Sequence, residues 1–230
     1  MRSDLLYNIS PYPIKSLIAS SYGYYLKHLR HSAKFFQYTQ EASLRDSWSE
    51  KRWNEWQEER VAYFLDLAYK YVPFYKTYWS KQKRLGNKCS IELIENWPVI
   101  NRKIVQNNSE LFINNQYKKY NLIKEFTSGS SGSPMKVYHS KDALRYWYGL
   151  CEVRWRKWYD LSYKQTWAYI AGRKVVPYKN QKPPFWIWNK GLKQLYLSCF
   201  HLKEQNISFY MDSMKEYEVV YLYGLASSIH

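Results

Sequence analysis

Residues 127–136 read Thr-Ser-Gly-Ser-Ser-Gly-Ser-Pro-Met-Lys, and no regular helix can run through them. Two glycines raise the entropic cost of any fixed helical backbone, four serines favour turns, and Pro134 has no amide to donate. The flanking runs, 123–127 and 135–139, have the composition of short strands, so the segment predicts two strands joined by a Gly/Ser loop. The loop divides the chain. Before it the apolar pattern is helical, and beyond it strands and helices mix. The expected fold class is therefore α/β in the mixed α+β sense, with a helical region over 1–120 and an α/β subdomain with an incomplete sheet over 121–230, carrying the loop.

On the helical side, Ile14, Leu17, Ile18, Tyr22, Tyr25, Leu26 and Leu29 recur at helical spacing with basic residues between them, predicting one amphipathic helix over 14–38. Its apolar face is expected to pack on the rest of the protein, with a membrane surface as the alternative. Ser47 with Glu50 reads as a capping box. The face of Trp53, Trp56, Val61, Phe64, Leu65 and Ala68 then continues to Pro73, which stops it. Residues 86–121 are broken by Gly, Pro and Asn, with a short helix near 102–107. After the loop, Ser140 caps a helix that carries Leu144, Trp147, Cys151, Trp155 and Trp158, a stripe read as core. Strands are expected at 166–170, 194–198 and 218–223, a helix over 204–215, and Ser227 or Ser228 as a cap near the end.

The chain has 230 residues, 20% of them aromatic, with 25 Tyr and 11 Trp, a composition far from that of disordered chains. Cys89, Cys151 and Cys199 are odd in number and lack zinc spacing, which points to reduced thiols and, with no signal-like or membrane-spanning run, to the cytoplasm. The net charge of +16 attracts polyanions: nucleic acid, an anionic membrane surface, or nucleotide phosphates and coenzyme A. No helix-turn-helix, RNP or zinc-finger pattern accompanies the charge, so dedicated nucleic-acid binding is not expected, while peripheral proximity to a membrane is compatible with it.

The loop itself carries the chemistry. Its glycines let backbone amides approach an anion closely, and its five hydroxyls add donors and a possible magnesium ligand, which are the needs of a polyphosphate. It is neither a Walker A loop nor a dinucleotide fingerprint. Thr-Ser-Gly-Ser-Ser-Gly-x-Pro is similar to the phosphate-binding signature of the adenylate-forming superfamily. Pro13-Ile14-Lys15-Ser16-Leu17, Tyr71-Val72-Pro73-Phe74-Tyr75, Trp97-Pro98-Val99-Ile100, Leu195-Tyr196-Leu197-Ser198, His201-Leu202 and Tyr223-Gly224 resemble the phenylacetate–CoA ligase and CapK-like branch.

That resemblance implies a ligase that uses ATP and Mg²⁺ to adenylate a carboxylate, then passes the acyl group to a nucleophile such as coenzyme A. It implies that Thr127, Ser128, Gly129, Ser130, Ser131 and Gly132 hold the β and γ phosphates, that Pro134 stiffens the exit, and that Thr127 or Ser130 contacts the metal. Relatives often have Lys directly after the proline; here Met135 intervenes and the base is Lys136, which a strand would turn to the opposite face. His201 falls where the superfamily places a residue beside the acyl pocket and is the candidate catalytic group, and Tyr223, Gly224 and Ser227 fall at the substrate-site floor. Relatives are longer and carry further motifs downstream, including a catalytic Lys, so the chain is expected to be a truncated form that binds ATP weakly and does not turn over by itself. The resemblance also suggests a setting in capsular or extracellular polysaccharide synthesis. The competing reading is a non-catalytic binding protein that uses its basic aromatic surface for membrane or protein association.

Overall fold

The computed structural model describes residues 10–127, 134–172 and 174–229. It is mixed helix and sheet, with a two-stranded and a four-stranded sheet. Two compact units form: one from 1–39 with 148–230, the other from 40–147. The boundary expected at 120 falls inside the second.

In the first unit, helix α1 (Tyr12–Arg30) is followed by α2 (Ala33–Leu44), which continues into the second unit. The single helix expected over 14–38 is thus two. His31 leaves helical geometry while its amide still donates to the Lys27 carbonyl, and the Ser32 backbone carbonyl opens the next helix by accepting from the Phe35 amide. The sheet contains β3 (Trp167–Ala171), β4 (Trp186–Asn189), β5 (Gln194–Ser198) and β6 (Tyr221–Gly224) in the order β4-β5-β3-β6. β3 runs parallel to both β5 and β6, while β4 pairs antiparallel with β5. Strand β4 has no clear sequence signal, because Pro183 and Pro184 precede it and its period-two pattern covers four residues.

Strand alternation sorts the sheet's two faces. Ala168, Ile170, Leu195 and Leu197 turn to one side and form the main core with Phe185 and with Tyr210 of α7 (Ile207–Glu216). On the other side Ile187 and Tyr196 pack with Tyr12 and Ala19 of α1 and with Val175 and Val176.

Helix α1 is seated by its small residues, not by its apolar stripe. Ser16 Oγ donates to the Trp188 carbonyl at 2.8 Å, and Ser20 Oγ accepts from the Lys190 amide at 3.0 Å. At Gly191 a Cβ would fall 2.2 Å from the Tyr24 amide nitrogen, so helix and sheet edge meet backbone to backbone there, and at Gly23 it would fall 1.9 Å from the side-chain Oδ1 of Asn189. Ile14, Leu17, Ile18, Tyr22 and Tyr25 are consequently exposed, which reverses the orientation expected from periodicity.

The second unit holds α3 (Glu50–Tyr71), α4 (Pro73–Arg84), α5 (Arg102–Asn108) and the hairpin of β1 (Ile123–Phe126) and β2 (Lys136–His139). Ser49, not Ser47, caps α3: its hydroxyl accepts from the Arg52 amide at 3.3 Å, while Ser47 donates to the Leu44 carbonyl. Pro73 both ends α3 and opens α4, since a first-turn position needs no amide donor. Asn101 caps α5 by accepting from the Ile104 amide.

Helix α6 (Lys141–Cys151) starts at the expected cap, with Ser140 Oγ accepting from the Ala143 amide at 3.0 Å. It continues as a π turn over Glu152–Arg156. The wider turn rotates later side chains off the α-helical face. Trp147, Trp155 and Trp158, expected in a core, are exposed. Buried in their place are Val153 and the Glu152 carboxylate, which accepts from the Tyr163 amide and pairs with Arg156. The end of the chain forms α8 (Ala226–Ile229), with Ser227 inside its turn and not capping it.

Candidate functional site

The Gly/Ser loop belongs to the second unit, and residues 128–133, the core of the phosphate-binding reading, lie outside the described residues. Its two ends are described, and the β hairpin fixes them. Ile123 pairs with His139 and Phe126 with Lys136, and the ladder extends one step further, the Thr127 amide donating to the Met135 carbonyl at 3.0 Å. Thr127 Oγ1 then accepts from the Met135 amide at 3.0 Å and from Arg102 Nη2 at 3.3 Å. The hydroxyl of the motif's first residue thus locks the loop base, with its own proton left to donate.

Arg102 is a residue that sequence reasoning missed. It lies 25 positions before Thr127, and no spacing rule links them. Only folding, which sets the first residue of α5 beside the hairpin's open end, puts a guanidinium at the loop mouth.

Other charges gather along the same hairpin. The Lys119 ammonium hydrogen-bonds Glu110 and holds its carboxyl below the usual range, with further lowering from Lys136 and Lys124. On the opposite face His139 Nε2 lies 3.4 Å from Glu125 Oε2. Among the described residues, no group of three or more His, Cys, Asp or Glu could hold a metal ion.

In the first unit, His201, Tyr223, Gly224 and Ser227 follow or end the parallel strands β5 and β6, on the carboxyl edge where open α/β sheets bind ligands. His201 is buried in the turn after β5, its Nδ1 2.8 Å from Ser198 Oγ and its ring stacked on Phe185. Its Nε2 is buried without a hydrogen-bond partner among the described residues. Tyr210 donates to the Ser198 carbonyl at 2.7 Å, so the turn is braced from the core as well.

Tyr223 is exposed and stacked between Trp155 at 5.4 Å and Tyr169 at 5.7 Å. Gly224 has a structural reason of its own: a Cβ there would fall 2.2 Å from the Ile170 carbonyl oxygen, inside the β3–β6 pairing. Ser227 is exposed. The structure thus gathers these four residues at one sheet edge, in a different unit from the loop.

The chain is thus of the mixed α/β class. No protein-family profile matches this chain, and no solved structure matches it significantly. It is similar to Protein CapK of Staphylococcus aureus, with 28% identity over 229 residues, 99% of this chain and 49% of CapK. The chain therefore resembles CapK along essentially its whole length and spans about half the length of that relative. Among the described residues, no helix is long and apolar enough to cross a membrane.

Proposed function

We propose that this chain supplies the triphosphate-gripping hairpin of an adenylate-forming carboxylate ligase. In that reaction a substrate carboxylate attacks the α-phosphorus of ATP, pyrophosphate leaves, and the acyl group passes from the adenylate to a nucleophile such as the thiol of coenzyme A.

The observation that carries this reading is the construction of the loop base. A flexible Gly/Ser linker needs no anchoring. Here Thr127 closes the loop through backbone and side chain together, and Arg102 adds a cation at the mouth. Ends held in this way would reduce the order lost when the loop's amides and hydroxyls surround a phosphate. Since Thr127 Oγ1 already accepts two hydrogen bonds, its role is to donate to a phosphate oxygen, and contact with Mg²⁺ falls to Ser130. Ser130 would contact a magnesium ion held mainly through the nucleotide, and the ion would offset the phosphates' negative charge. Lys136, opposite Phe126 in β2, would add positive charge near the loop base. His201, Tyr223, Gly224 and Ser227 would form the acyl side, with buried His201 holding the turn after β5 through Ser198. The CapK-like resemblance further suggests work in capsular or extracellular polysaccharide synthesis.

The test is a titration of the ¹⁵N-labelled 230-residue chain with Mg·ATP and, separately, with inorganic triphosphate. Both should shift the amide resonances of Ser128–Gly132, with dissociation constants on the order of 1 mM, about −4 kcal/mol. Arg102→Gln should weaken both ligands by about tenfold, the worth of one charge-assisted hydrogen bond. Loop resonances that ignore both ligands would sink the reading.

A further inference from the structure

The outward face of α1 is apolar where water should have selected polar groups. By helical spacing Ile14, Leu17, Ile18 and Tyr25 form its centre, with Tyr22 and Tyr24 along its margins, and all six are exposed. Leu17 shows 67% of its surface. Together they leave an apolar patch on the order of several hundred Å², at or above the largest that a typical monomer leaves uncovered. The orientation is built in. The opposite face carries Ser16, Ala19, Ser20 and Gly23 and sits so close to Asn189 and Gly191 that a half-turn of the helix would drive large side chains into backbone.

Charge identifies the occupant. From Ser10 through Gln40 there is no Asp or Glu, while Lys27, His28 and Lys34 lie at the end of α1 and the start of α2, with Arg30 packed over the Tyr148 ring at 4.3 Å. A second copy of the chain seated on this face would bring like charges together. An anionic bilayer surface suits both parts, taking aliphatic side chains below the headgroups, tyrosines at headgroup level and lysines against lipid phosphates.

We propose that α1 is an interfacial anchor that docks this protein, without spanning it, on an anionic lipid surface. The inference is independent of the ligase reading, since it uses none of the loop or carboxyl-edge residues. In co-sedimentation, the full chain should pellet with vesicles of phosphatidylcholine and phosphatidylglycerol, much less with phosphatidylcholine alone, and less as salt is raised. Leu17→Asp with Ile18→Asp should lower retention at least about tenfold while circular dichroism and the thermal midpoint stay near wild type, because both side chains are exposed. Leu17→Met should keep wild-type retention, and Lys27→Gln with Lys34→Gln should flatten the salt dependence. The proposal is overturned if the chain ignores anionic vesicles or if the double Asp variant binds them as wild type does. A concentration-dependent dimer that the same two substitutions dissociate, with no vesicle binding, would also overturn it and assign the face to a second copy.

Discussion

His31 sits at the break between α1 and α2, stacked on Tyr163 at 4.0 Å and edge-on to Phe35. Burial, reinforced by the neighbouring Arg30 charge, pushes its imidazole down to about 4. An unfolded chain would take up this proton near pH 6.5 and the folded one only near 4, so the stability from neutral His31 is complete above about 6.5 and lost as pH falls toward 4. Urea midpoints measured across that window should fall with pH, and His31→Phe, which can keep the ring stack, should flatten the slope. Cys151 provides a second check: burial pushes its thiol up to about 11, so a disulfide reagent should label exposed Cys89 quickly and Cys151 only on unfolding. Single residues were partly legible. The order Thr-Ser-Gly-Ser-Ser-Gly-x-Pro pointed to the loop as a phosphate site, whereas the contacts of Thr127 Oγ1 with the Met135 amide and Arg102 were not read from it. Arg102 was not legible, because its contact with Thr127 depends on backbone paths that bring side chains 25 positions apart together without a periodic signature.

Among the elements, β5 and the Ser140-capped start of α6 stand where local sequence put them, since a four- to eight-residue apolar run and a hydroxyl three residues before a free amide are local signals. Helix α1 and the tryptophan stripe show how that logic fails. Periodicity locates an apolar face but not its partner. In α1, tight backbone contact through Gly23 and Gly191 determined which face turned inward. After α6, one π turn shifted the register, burying Val153 and Glu152 while Trp155 and Trp158 are exposed; Trp147, which precedes the turn, is exposed on α6 itself. Gly191→Ala should therefore destabilise the chain by about 1–3 kcal/mol, because a methyl would meet the backbone of Tyr24 and Gly23. Gly224→Ala should cost at least as much by prying β6 from β3. Thermal or urea denaturation would measure both, and wild-type stability in either variant would contradict the packing described.

At the scale of the whole chain, burial is uneven. Ala168, Ile170, Phe185, Leu195, Leu197 and Tyr210 make a continuous core in the first unit, whereas in the second no residue of α3 is buried. Hydrogen exchange should accordingly be slowest in β3 and β5 and faster in α3, and equal protection in both would show that buried contact does not govern local opening here. By itself, the sequence determined the mixed α/β class, the hairpin around the Gly/Ser loop, the basic charge and the likeness to CapK, because composition and local backbone preference are properties of short stretches. The tertiary structure alone decided the discontinuous division into units, the outward turn of the α1 apolar face, the guanidinium at the loop mouth and the aromatic stack on Tyr223. Each of these arises from contacts between residues far apart in the chain, whose geometry no local pattern encodes.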